Sequence, residues 1–329
     1  MSEQQTQRRV TPTAVRVLPA DADRELWLAE RRRGIGSSDV AAILGAADYA
    51  TAVHVYRDKR GQLVDDAGEA AMWGHLLEDV VAREWARRQK SVIQRVGLVA
   101  NADTPWMMTT LDRLVLECPM DRSVSKRCAL EVKCRSAFKA HRWHADIPDD
   151  VLAQTAWQRL VTGFDHIHVA VLIGGNEMKL ATAFADPKVD DYVLTQVRRF
   201  RDEHLLPGVE PDWDLTKAQA LIDMDSLMNS DRVGEIDLSD VGEVIEYAAR
   251  SAAKSRAEKA LKESSATLRR LANGALTVTF GGELAYEYGP VTKSSCDLER
   301  LADRWPEAYA DCVTSKTHYA IRLAKEFKQ

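Results

Sequence analysis

The stretch ALEVKCRS (129–136) places an acid and a lysine two positions apart inside an apolar, β-prone run. Side chains alternate faces along a strand, so Glu131 and Lys133 project together while Leu130, Val132 and Cys134 project the other way. That arrangement suits a carboxylate that holds a metal ion beside a lysine that handles water or phosphate. It equally suits a solvent-facing pair on a half-buried sheet. Metal chemistry needs further oxygen ligands, and the flanking sequence offers candidates. Asp112, in TTLDRLV, falls at the end of the preceding strand-like run, and an Asp and a Glu on adjacent hairpin strands can converge on one hard cation. Glu78 lies in a helical pattern among Leu76, Leu77 and Val80, and Gln154 opens the helix after the strand pair. Each of these has an ordinary structural or surface role open to it; the combination is more specific than its parts.

The elements that must position these residues are legible from periodicity. A helix is expected from Asp23 to Arg32, and a second, capped by Ser37 or Ser38, carries DVAAILG. WGHLLEDVVAREWARRQ reads as a helix with Leu76, Val80, Val81 and Trp85 on its apolar face. Strand-like runs follow at VGLVA, WMMTTLDRLVLE and CALEVKCRS, then a helix from about Asp149 to Thr162, the apolar run HIHVAVLIGG and the alternating MKLATAF. This order predicts a mixed α/β core. Residues 1–20 read as a flexible N-terminus, 21–206 as the catalytic domain and 207–329 as a mainly helical C-terminal extension. The boundary falls at the linker-like LPGVEPDWD. Beyond it, an Ala-rich helix is expected from about Ser239 to Ala272, ending at Asn273-Gly274. LTVTFGGELAYEYGP reads as a hairpin turning at Gly281-Gly282, and PEAYADCVTSKTHYAIRLAKEF as helical.

Composition frames the function. The chain has 329 residues, 45% hydrophobic and 29% charged, which is globular. No apolar run approaches the roughly 20 residues of a membrane span, and MSEQQTQRRVTPT is no signal peptide. Five cysteines, an odd number at irregular spacing, argue against a disulfide framework and for a reducing, cytosolic compartment. The net charge of −5 speaks at first against a nucleic-acid partner. Residues 1–206 are nevertheless charge-balanced, all the net acidity lies beyond them, and basic residues cluster in ERRRG, RDKRG, REWARRQK and KCRSAFKAHRWH, patches that could follow a phosphate backbone. FKAHRWH could grip DNA by stacking and charge or simply begin a packed amphipathic helix. Cys118, Cys128 and Cys134 with His141 and His144 raise zinc or an iron–sulfur cluster. No CxxC pair exists, however, and the spacing argues against cysteine-bound metal. GIGSSD lacks the GK[ST] of a P-loop, which argues against ATP use.

Over roughly residues 22–200, ERRRGIGSSDVAAILG, WGHLLEDVVAREW, LDRLV, LEVKC and LAQTAWQRLVTG running into VAVLIGG occur in the order found in the YqaJ-type viral recombinases, the phage lambda exonuclease group of the PD-(D/E)XK nucleases. The chain resembles that family. The resemblance implies a restriction-endonuclease-like mixed β-sheet core flanked by helices. It places the helix glutamate on Glu78, the metal-bridging aspartate on Asp112, the second metal ligand on Glu131, the lysine on Lys133 and the helix glutamine on Gln154. It assigns terminal-phosphate binding to Arg31 and Ser38. Two positions depart from the pattern: Leu111 stands where a proline is usual, and Ala156 where a second glutamine is common.

These assignments imply a Mg²⁺ site, with Mn²⁺ as substitute, held by Asp112, Glu131, the backbone carbonyl of Val132 and Glu78. Lys133 would orient or deprotonate the attacking water and Gln154 would hold water or phosphate. The expected function is a Mg²⁺-dependent exonuclease acting 5′ to 3′ on double-stranded DNA ends, leaving 3′ overhangs for phage-type recombination. A ring-shaped homo-oligomer, trimeric in the best-known relative, and a single-strand annealing partner are implied by the resemblance. So is a phage or prophage protein in the cytoplasm of a bacterial host. The alternatives are a structure-specific or defence-related endonuclease on the same core and an inactive DNA-binding module. Retention of all four polar core residues argues against the inactive module, because a binding protein has no need of the Glu-x-Lys pair.

Overall fold

The computed structural model describes residues 9–63, 68–120, 126–144, 146–228, 234–239, 241–290 and 297–312. They divide into two compact units, Met1–Ser230 and Asp231–Gln329. In the first unit the chain runs β1 (Ala14–Leu18), α1 (Arg24–Arg31), α2 (Ser37–Ile43), α3 (Ala52–Lys59), α4 (Glu69–Gln89), β2 (Ile93–Gln94), β3 (Leu98–Asn101), β4 (Met108–Thr110), β5 (Arg113–Val115), β6 (Cys128–Arg135), α5 (Asp149–Thr162), β7 (His166–Ile173), β8 (Glu177–Phe184), α6 (Pro187–Phe200) and α7 (Ala218–Met228).

Two sheets result. β1, β3 and β4 form a three-stranded antiparallel sheet. The second has the order β2-β5-β6-β7-β8, and only its β6–β7 pair is parallel. A parallel pair needs a crossover, and α5 provides it. The two faces of this pair are covered differently. On one, Ala129 and Ile167 pack with Ala153, Ala156, Trp157 and Val161 of α5. On the other, Leu130, Val132 and Ala170 pack with Val81, Ala82 and Trp85 of α4. Cover on both faces explains why HIHVAVLI is apolar almost throughout. Each fully buried valine of α5 contributes about 1.5–3 kcal/mol. Trp157 ties this layer to the smaller sheet, its Nε1 donating to Ile35 O at 3.1 Å and Met108 O at 3.0 Å.

Several elements differ from the sequence expectation. WMMTTLDRLVLE is not one strand: β4 and β5 belong to different sheets, and the chain breaks between them at Leu111 and Asp112. The terminus expected to fray forms β1 from Ala14, paired with β3. The cap of α2 is Gly36, whose N–H donates to Asp39 Oδ2 at 2.8 Å, rather than Ser37 or Ser38. In α4 Val81 and Trp85 are buried, but Leu76 and Val80 are exposed. Residues 207–228 belong to the first unit, past the expected boundary at 206/207. Leu221 and Met224 of α7 bury against Val53, Tyr56 donates its hydroxyl to Gly208 O at 2.8 Å, and Arg57 pairs with Glu210 at 2.7 Å.

Gly97 is a point where the backbone tolerates no substitute. It has φ +90°, and a Cβ there would lie 2.3 Å from Leu18 O. Gly97→Ala is expected to destabilise by about 1–3 kcal/mol from the conformation alone, and further through the clash with the β1 end. A lowered urea midpoint would register it; an unchanged midpoint would contradict it.

The second unit contains α8 (Glu243–Ala272), a hairpin of β9 (Thr277–Phe280) and β10 (Glu283–Glu287), α9 (Leu298–Arg304) and α10 (Pro306–Cys312). The long helix ends as expected, with Asn273 and Gly274 at positive φ, and the hairpin turns at Gly281-Gly282, both also at positive φ. Tyr286 donates its hydroxyl to Leu268 O at 2.9 Å, holding the hairpin on the helix. The helix expected through the C-terminus is present as α10; its remainder lies outside the described residues.

Candidate active site

Strand alternation on β6 sends Glu131 and Lys133 to the α5 face. Glu131 is 1% exposed, deep enough that its charge requires partners. Its Oε1 accepts from Lys133 Nζ at 2.5 Å and from Gln154 Nε2 at 2.7 Å. Its Oε2 accepts from Gln158 Nε2 at 2.5 Å. Lys133 Nζ also donates to Gln154 Oε1 at 2.7 Å, which closes a three-residue network. Gln158 went unnoticed in the sequence, although it follows Gln154 by four residues and so shares its helix face.

Asp112 stands at the break between β4 and β5. Because Arg113 pairs with Leu130, the preceding Asp112 comes level with Glu131 and Val132, and Val132 N donates to Asp112 Oδ2 at 2.6 Å. Burial, then the charges of Glu131 and Glu78, push the Asp112 carboxyl well above the usual carboxylate range, against the opposing pull of Lys133 and the Val132 N–H. Glu78 reaches the same end of the sheet from α4. Arg113, another residue unremarked in the sequence, donates to Glu78 Oε1 at 2.6 Å, to Asp79 Oδ1 at 2.8 Å and to the Asp112 carbonyl. Its guanidinium fork joins α4 to the strand that carries Asp112.

Three carboxylates therefore gather near one strand end, and the charge repulsion borne by Asp112 is the situation a hard divalent cation relieves. Asp112 Oδ1 and Glu78 Oε2 take no hydrogen bond from a protein donor among the described residues. The donor set fits Mg²⁺ or Mn²⁺, which accept few protein oxygens and keep several waters. An adjoining cleft of about 390 Å³ is lined by Glu78, Asp112, Trp27, His75, Arg24 and Arg95.

Arg31 and Ser38 are brought together, Arg31 NH2 donating to Ser38 Oγ at 3.4 Å. The stronger partner of Arg31 was not anticipated: Asp39 Oδ1 accepts from it at 2.6 Å, and Asp39 Oδ2 pairs with the buried Lys59 at 2.6 Å. Burial raises the Asp39 carboxyl, but Lys59 and Arg31 outweigh that effect and hold it below its ordinary value. Among the FKAHRWH residues, Phe138 is exposed and Trp143 buried, while Lys139 and Arg142 both pair with Asp48.

A mixed α/β domain whose central sheet presents a carboxylate, lysine and glutamine constellation at one strand end is thus the class that fold and site define. Residues 26–165 match the family model of the YqaJ-like viral recombinase domain. The chain is 27% identical over 308 residues to the "Uncharacterized protein YqaJ" of Bacillus subtilis (strain 168), covering 91% of this chain and 93% of that protein. Among solved structures it is similar to an alkaline exonuclease (LHK-Exo) from Laribacter hongkongensis, at 17% identity and a TM-score of 0.46, covering 60% of this chain and 98% of the other. The same enzyme in complex with dAMP aligns at 18% identity and a TM-score of 0.47, covering 60% and 99%. No helix among the described residues is long and apolar enough to cross a membrane.

Proposed function

We propose that the protein is a divalent-metal-dependent DNA exonuclease that degrades one strand of a duplex from its 5′ end and leaves a 3′ overhang for recombination. The observation that carries this reading is the contact of Lys133 with both Glu131 and Gln154, with Asp112 level with them on the neighbouring strand. Asp112, Glu131, the Val132 carbonyl and Glu78 would hold Mg²⁺, which when bound acidifies a water and offsets charge growing on the phosphate. The chain's own groups do the positioning. Lys133, steered by Glu131 and Gln154, presents its N–H bonds to the attacking water or a non-bridging phosphate oxygen. Gln154 holds the other of the two, and Gln158 fixes Glu131 from behind. Arg24 and Arg95, in the adjoining cleft, suit a phosphate backbone. The nuclease domain is taken to be the first unit, residues 207–228 included, and the extension to be the second. A cytoplasmic phage or prophage setting, a ring-shaped homo-oligomer and a single-strand annealing partner complete the reading.

A second reading is favoured by one contact. Asp39 already takes one nitrogen of the Arg31 guanidinium, so if Arg31 and Ser38 form no pocket for a terminal phosphate, the same core would act as an endonuclease. End-labelled linear duplexes with 5′-phosphate and 5′-hydroxyl ends, beside a covalently closed circle, separate the two. The exonuclease digests the phosphorylated duplex much faster, spares the circle, and loses most of the end preference in Arg31→Ala. Equal rates on both ends, or ready cutting of the circle, would establish the endonuclease.

A further inference from the structure

On the opposite face of the same sheet, four side chains converge that the proposed chemistry does not use. Cys118 follows β5, Cys128 begins β6, and His166 and His168 are alternate residues of β7. All four are buried, and their ligand atoms lie within 4.8 Å of one another. Cys118 Sγ is 3.2 Å from His166 Nε2 and 3.5 Å from His168 Nε2. Zn–S bonds of about 2.3 Å and Zn–N bonds of about 2.0–2.1 Å in a tetrahedron place neighbouring ligand atoms about 3.4–3.8 Å apart. We infer that Cys118, Cys128, His166 and His168 form a structural Zn²⁺ site, distinct from the carboxylate site around Asp112.

The surroundings of the two imidazoles support this. His166 Nδ1 donates to Asp165 Oδ1 at 2.5 Å, and Asp165 in turn accepts from Lys126 at 2.5 Å. His168 Nδ1 is 3.0 Å from Thr182 Oγ1, which can accept a hydrogen bond from the Nδ1–H tautomer. With Nδ1–H directed at these partners, both rings turn an Nε2 lone pair toward the cysteines, the orientation that outer partners impose on metal-ligating histidines. Without a cation, two nitrogen lone pairs and two sulfurs would share only two weakly donating S–H groups in a dry place. One thiol, Cys118, cannot donate to both histidines at once. Zn²⁺ resolves this: two S–H bonds lose their protons to solvent, two thiolates and two neutral imidazoles bind, and the centre carries no net charge. A [2Fe–2S] cluster would need its ligand pairs on separate irons, farther apart than four atoms gathered within 4.8 Å. The site would clip the chain after β5 and the start of β6 to β7. Cys128 precedes Glu131 by three strand residues, about 10 Å, so the clip would hold the Asp112 strand against the Glu131 strand without touching the reacting groups.

The test uses the untagged full chain, purified without chelator and analysed for metal, then stripped under reducing conditions and titrated with Co²⁺. The expected result is one tightly held zinc per chain and, with Co²⁺, the intense visible bands of a tetrahedral centre together with a thiolate charge-transfer band. Those bands vanish in Cys118→Ser and in Cys128→Ser, whereas Asp112→Asn, which weakens only the carboxylate site, keeps zinc and bands intact. If a cysteine variant does not fold, the wild-type charge-transfer band alone decides. The site is overturned by wild-type protein that has neither zinc nor a thiolate band, by iron in its place, or by full zinc retention in Cys128→Ser.

Discussion

Lys133→Ala is expected to slow strand cleavage by about 10²-fold or more, which corresponds to about 2.7 kcal/mol of transition-state stabilisation, while duplex binding and the melting transition stay near those of the unaltered protein. The structure separates the two effects. Removing the ammonium takes away the donor proposed to serve the reacting atoms, but Glu131 keeps Gln154 and Gln158 as hydrogen-bond donors and is not left bare. Glu131→Ala should lose comparable activity for a different reason and with a structural penalty. Gln154 and Gln158 would lose the acceptor of their Nε2 groups and Lys133 would keep only Gln154 Oε1, and each group left unsatisfied at this buried point costs about 1–3 kcal/mol. Glu131→Gln is the cleaner companion, because it keeps an acceptor oxygen while removing the charge that attracts a cation. Single-turnover digestion of an end-labelled duplex, with a parallel binding isotherm and thermal melt, measures all three variants. Near-normal digestion by Lys133→Ala would remove it from the site.

Loss of divalent cation should have an effect as large. Chelation is expected to stop digestion, Mg²⁺ or Mn²⁺ to restore it, and Ca²⁺ to permit DNA binding without turnover, because a larger and more loosely coordinated ion misplaces the attacking water. Proton competition adds a signature. The Asp112 carboxyl is raised by burial and by Glu131 and Glu78, so it retains its proton to a higher pH than an ordinary aspartate, and that proton must leave before the oxygen can bind a cation. The Mg²⁺ concentration giving half the maximal rate should therefore rise as pH falls through this raised range and level off above it. A half-saturating concentration that ignores pH would contradict the assignment of Asp112, and activity that survives exhaustive chelation would contradict the metal requirement. A Cys₂His₂ zinc centre would release its ion far more slowly than an oxygen site, so activity recovered by Mg²⁺ alone after brief chelation belongs to the carboxylates.

The Glu131–Lys133 pair was legible because strand alternation is a local rule: two residues apart on β6 means one face, whatever lies across it. The helix that carries Gln154 was equally local, its apolar period running from Asp149 to a glycine at positive φ. The Asn273-Gly274 stop and the Gly281-Gly282 turn followed from backbone freedom, which also belongs to single residues. Where a pattern needed to know its neighbour, it misled. The exposed Leu76 and Val80 share the helical period with the buried Val81 and Trp85, and periodicity cannot say which part of a wide apolar stripe finds cover. The residues of WMMTTLDRLVLE keep a strand-like character across a break between two sheets, since β propensity does not record which partner each half pairs with.

What only the tertiary structure decided has one common cause, contacts between residues distant along the chain. Gln158 became the second anchor of Glu131 because α5 lies across β6. Asp39 took one nitrogen of Arg31 while α2 and α3 bring Lys59 to its other oxygen. The cysteines gave the sharpest divergence. Read by spacing with Cys134, His141 and His144, they argued against a metal. Folded, Cys118 and Cys128 meet His166 and His168 instead. Parallel pairing aligns Ala129 with Ile167, and so sets the start of β6 beside the start of β7, with an entire helix between them in sequence. The sequence by itself determined the chemistry available on each strand and helix; sheet register determined which of those groups share a site, because hydrogen-bonded pairing fixes neighbours across intervals that no local spacing encodes.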